Sequence, residues 1–165
     1  MNTLNNLTKA LYYQVHKGTA KGIDYLYWAV CMVELEQESN SLLKLMSMDK
    51  NESVFVFEEY FNRILNELNI TIPDFEDCAR EIIRQLCLEI INGNKNIFEI
   101  TKKIFKVTSE LDYPIDLSVW NGLDDGVDRI TYDDEYYKPD ETELRNEIEI
   151  EARMFLAAQA DEDIR

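Results

Sequence analysis

Residues 73–111, PDFEDCAREIIRQLCLEIINGNKNIFEITKKIFKVTSEL, decide the fold class. Pro73 fits the first turn of a helix, and Asp74, Glu76 and Asp77 stand where carboxylates favour the positive end of the helix dipole. Phe75, Ala79, Ile82, Ile83, Leu86 and Ile90 then recur at helical spacing until Asn92 and Gly93 stop the run. A second helix follows from about Asn96 to Leu111, with Ile97, Ile100, Ile104, Val107 and Leu111 on one face and Lys102, Lys103 and Lys106 off it. Two amphipathic helices joined by a short polar link point to an all-α chain.

The same period extends towards the N-terminus. Leu4, Leu7, Leu11 and Val15 line a first helix that His16, Lys17 and Gly18 end, Gly18 supplying the left-handed residue after it. A second begins near Gly22; its spacing sets Ile23, Leu26, Tyr27, Val30 and Val33 inward, with Glu34, Glu36 and Glu38 at its exit, where acids oppose the dipole. Ser39 or Asn40 caps a short third helix through Met46. Asn51 caps a fourth that carries Val54, Phe57, Phe61, Ile64, Leu65 and Leu68. Trp28, mid-helix, reads as core.

Beyond Leu111 the pattern lapses. Tyr113-Pro114, Asn121-Gly122 and Asp125-Gly126 are turn dipeptides, and residues 113–138 read as a long acidic loop, functional or mobile. The last helix starts at Pro139, with Asp140, Glu141 and Glu143 in its first turn and Leu144, Ile148, Ala152 and Phe155 inward; a frayed tail is expected from Asp161. The expected architecture is an all-α, single-domain bundle of six or seven helices over 1–165, the acidic loop lying before the last helix.

Composition agrees with helices on short loops: 165 residues hold five glycines and three prolines, with 45% hydrophobic and 30% charged residues. Cys31, Cys78 and Cys87 have neither disulfide-framework nor zinc-site spacing. The N-terminal stretch has no basic, long-apolar signal pattern and no run is long enough to span a membrane, so a cytoplasmic setting is expected. Charge is uneven. From Glu110 to Glu151 fifteen acids meet three bases, carrying most of the formal net charge of −16. Such a field opposes nucleic-acid phosphates and anionic lipid and attracts cations.

Catalytic signatures are missing. Asn121-Gly122-Leu123-Asp124-Asp125-Gly126-Val127-Asp128 fails the calcium-loop register, because Gly126 at the turn puts Leu123 at a ligand position and Tyr132 where the bidentate glutamate belongs. His16, the only histidine, suits a helix C-terminus. No nucleophile turn or phosphate-binding glycine loop is present, so no catalytic residue, cofactor or metal is expected. Asp133, Asp134 and Glu135 followed by Tyr136 and Tyr137 read either as an interface or as a charged face with tyrosines packed sideways on the core, and Trp120 is open in the same way.

Tyr25-Leu26-Tyr27-Trp28-Ala29-Val30, Ser39-Asn40-Ser41-Leu42-Leu43-Lys44-Leu45 and Phe57-Glu58-Glu59-Tyr60-Phe61 ending in Leu65-Asn66-Glu67-Leu68 resemble small acidic helical proteins of bacteria, many of them similar to immunity proteins of polymorphic toxin systems. The likeness covers residues 23–70 and contains no catalytic residue. It implies a non-catalytic binding protein that neutralises a toxin domain with a cationic surface. The expected contact residues are Trp120, Asp124, Asp125, Asp128, Asp133 and Asp134, continuing through Glu135, Tyr136, Tyr137, Asp140, Glu141 and Glu143. Two other readings stand beside it: an acidic mimic of nucleic acid that inhibits a DNA- or RNA-binding protein, and a carboxylate-bound metal hydrolase.

Overall fold

The computed structural model describes residues 2–162, which form eight α-helices and one short 3-10 turn with no strand. Of the tail expected to fray from Asp161, Asp161 and Glu162 belong to the last helix, and residues 163–165 lie outside the described ones. The chain divides into two compact units, 1–81 and 82–165. None of the described helices is long and apolar enough to cross a membrane.

The first unit holds α1 (Asn2–His16), α2 (Gly22–Glu34), α3 (Asn40–Met46), α4 (Val54–Glu67) and the first turns of α5 (Phe75–Ile91). Gly18 ends the α1 turn at φ +64°, as its sequence position predicts. Ser39 caps α3 by accepting from the Leu42 N–H at 3.1 Å. Asp74 caps α5 through the Asp77 N–H at 2.8 Å. Asn51 does not cap α4, because its side chain and backbone both donate to Asp49 in the preceding turn.

The core of this unit is aromatic. Trp28 meets Phe61 edge-on with ring centroids 4.7 Å apart, Tyr25 stacks on Phe57 at 5.7 Å, and Trp28 Nε1 donates to Thr8 Oγ1 of α1 at 3.2 Å. The inward face of α2 is therefore Tyr25, Trp28, Ala29 and Met32. Of the residues expected inward, Ile23, Tyr27, Val30 and Val33 are exposed and Leu26 is half-buried. Apolar side chains surround nearly the whole of α2, so periodicity cannot choose a face. Gly22 chooses it: a Cβ there would lie 2.5 Å from the Lys50 carbonyl and 2.6 Å from the Phe57 ring. Tyr25 and Ala29 follow Gly22 by three and seven residues and share its face.

The second unit holds the rest of α5, α6 (Ile97–Glu110), the 3-10 turn Ile115–Leu117, α7 (Val119–Tyr132) and α8 (Glu141–Glu162). Its buried residues include Ile83 and Cys87 of α5, Ile100 and Ile104 of α6, Trp120, Leu123 and Val127 of α7, and Leu144, Ile148, Ala152 and Phe155 of α8. The expected loop over 113–138 is corrected. Half of it is α7, built on Trp120, Leu123, Val127 and the half-buried Ile130, a spacing of three, four and three. Burial of that stripe outweighs two helix-interior glycines, each of which costs roughly 0.5–1 kcal/mol relative to alanine. Asp140 then starts α8 by accepting from the Glu143 N–H at 2.8 Å.

Candidate binding surface

The twelve expected contact residues separate into four groups. Trp120 is fully buried and belongs to the core of the second unit, which removes it from any contact surface. Asp124 is also buried and faces α6, its Oδ1 3.5 Å from Lys102 Nζ without a hydrogen bond. Burial raises its carboxyl above the ordinary value of 3.8, against the opposing pull of Lys102. Lys102 bonds instead to Asp128, one turn further along α7. Asp128, through Lys102, thus ties α7 to α6.

A second group is half-buried or exposed and already engaged. Arg129 Nε holds the Asp133 carboxylate at 3.0 Å, and its Nη2 donates to the Tyr137 carbonyl at 2.9 Å. This double hold spans the turn between α7 and α8. Lys138 lies 3.6 Å from Glu135, Asp140 caps α8, and Arg145 pairs with Glu141 at 2.8 Å while lying over the Phe98 ring. The remaining acids, Asp125, Asp134 and Glu143, are exposed and make no ion pair among the described residues.

The tyrosines resolve the ambiguity left by the sequence. Tyr136 and Tyr137 are 88% and 63% exposed, and Tyr132 at the end of α7 is 81% exposed, so none is packed sideways on the core. The rings of Tyr136 and Tyr137 meet edge-on at 5.0 Å. Two solvated aromatic rings thus share one short turn with Asp134 and Glu135, a third ends the helix before it, and Arg129 restrains the turn's backbone. Sequence reasoning missed Arg129, Lys102 and Tyr132 because the loop assignment hid their helical neighbours. The i, i+4 spacing of Asp124 with Asp128, and of Arg129 with Asp133, was the available signal.

Beyond Glu141 and Glu143, Glu147 and Glu149 add charge to α8, where steps of about 100° per residue spread them round the helix rather than in a phosphate-like row. Among the described residues no three His, Cys, Asp or Glu side chains are grouped to hold a metal ion. All three cysteines are free thiols; burial pushes Cys78 and Cys87 up to about 12. Elsewhere, a cleft of about 700 Å³ in the first unit is lined by Thr8, Lys9, Gln37, Ile70 and Asp77 among others, and Lys9 and Asp77 face each other at 3.7 Å. No expected contact residue lies there. No family model, curated protein or solved structure matches the chain.

Proposed function

We propose that this chain is a non-catalytic binding protein, of the immunity-protein kind, that captures a cationic protein through the turn between α7 and α8. The observation that carries the reading is the set of exposed rings, Tyr132 at the end of α7 and Tyr136 and Tyr137 on the following turn, which Arg129 holds beside Asp134 and Glu135. Tyrosine supplies contact area at low entropic cost, and the surrounding carboxylates speed encounter with a positive surface and select it. A toxin domain with a basic active surface has the required chemistry.

Capture from the source cell at low salt tests this. The wild-type chain retains a basic protein and releases it on raising salt from roughly 0.05 to 0.5 M, because exposed pairs are screened over a Debye length. Tyr136→Ser with Tyr137→Ser, and Asp134→Lys with Glu143→Lys, each abolish retention. Equal retention by the variants, or retention indifferent to salt, rejects the proposal.

A further inference from the structure

The outward face of α2 is a second, independent feature. Ile23, Tyr27 and Val30 are 55%, 68% and 43% exposed, and Glu34 completes the stripe at steps of four, three and four residues. That spacing is the seam of a helix that pairs with another helix, and Val33 lies exposed at its edge. The inward face of α2 is already filled by Tyr25, Trp28, Ala29 and Met32, so the outward apolar residues contribute nothing to the core.

The fourth seam position names the occupant. Any helix laid along the stripe covers the Glu34 carboxylate, and a covered carboxylate is costly without a cation against it. Glu36 and Glu38 follow immediately; among the described residues none of the three makes an ion pair, and Glu34 stands at the negative end of the α2 dipole with the other two just beyond it. A second copy of the chain fits poorly. In a parallel pair Glu34 meets Glu34, and in an antiparallel pair it meets Ile23. We infer that the outward face of α2 docks an amphipathic helix of a partner protein, with aliphatic side chains along Ile23, Tyr27 and Val30 and a lysine or arginine opposite Glu34.

The inference stands on α2 alone and does not need the turn between α7 and α8. Its test uses a fluorescein-labelled peptide of about eighteen leucines and lysines, leucines spaced three and four residues apart, titrated with the full chain and read by anisotropy. A peptide of the same composition in scrambled order binds at least about tenfold more weakly. Tyr27→Ser with Val30→Ser, both solvent-facing changes, weakens the ordered peptide about tenfold or more, as does Glu34→Gln with Glu36→Gln and Glu38→Gln. Circular dichroism of each variant matches the wild type. Unchanged affinity in both variants overturns the inference. So does loss of binding only on Asp134→Lys with Glu143→Lys, which assigns the peptide to the acidic turn, or sedimentation showing a dimer that Val30→Ser dissolves, which assigns the face to a second copy.

Discussion

Replacing Gly122 by alanine tests whether the acidic segment is ordered by its own sequence. Gly122 is the fourth residue of α7, is exposed, and a Cβ built on it meets nothing within 4 Å. Its φ is not in the positive range that favours glycine. Alanine there removes backbone freedom from the unfolded chain and strains nothing in the folded one, a gain of roughly 0.5–1 kcal/mol. In a chain of this length that corresponds to a rise of about 1–4 °C in melting temperature.

Gly126 provides the contrast within the same helix. A Cβ at that position would sit 3.0 Å from Leu144 Cδ1, so the leucine must yield before any gain is realised. Gly126→Ala therefore gains less than Gly122→Ala or loses stability. Thermal unfolding by circular dichroism gives the global difference, and amide hydrogen exchange at Leu123 and Val127 localises it to α7. A neutral or destabilising Gly122→Ala, or equal effects at both glycines, would refute the helix and its close approach to α8.

Arg129→Gln should free the turn between α7 and α8 while changing global stability by no more than about 1 kcal/mol, because exposed ion pairs contribute little; limited chymotrypsin digestion should cut several-fold faster at Tyr136 and Tyr137. Asp124 makes a pH prediction. Its raised pKa means the folded chain holds that proton more tightly than the unfolded one, so its contribution is full below the ordinary value of 3.8 and is lost as pH climbs through the raised value. Asp124→Asn should therefore gain stability over wild type near neutral pH, and urea titrations should show the difference shrinking as pH falls towards 3.8. Gly22→Ala should cost about 1–3 kcal/mol in denaturant unfolding, since its Cβ is driven into the Lys50 carbonyl and the Phe57 ring.

What the sequence made legible followed from how many signals each segment offered. α6 and α8 have single apolar stripes with acids or a capping residue at their starts, and their buried faces were readable; on α5 the stripe was found, but the buried Cys78, Glu81 and Cys87 lay outside the expected set. α2 is apolar around most of its circumference, so the deciding signal was a packing constraint at Gly22 that only neighbouring elements reveal. α7 was hidden for the opposite reason: two glycines and clustered aspartates are turn residues locally, while Trp120, Leu123 and Val127 supply burial that the local signal cannot express. This changes the meaning of the charge as well. Lys102, Arg129, Lys138 and Arg145 engage Asp124, Asp128, Asp133, Glu135 and Glu141 within the unit, so a count along the chain overstates the field offered to a partner. Among the described residues two sets of exposed carboxylates without an ion pair lie beside apolar surface: Asp134 and Glu143, in and just after the turn that bears Tyr136 and Tyr137, and Glu34, Glu36 and Glu38, at the end of an exposed apolar stripe. In both, charge accompanies apolar surface, and that pairing gives a cationic partner both steering and contact area.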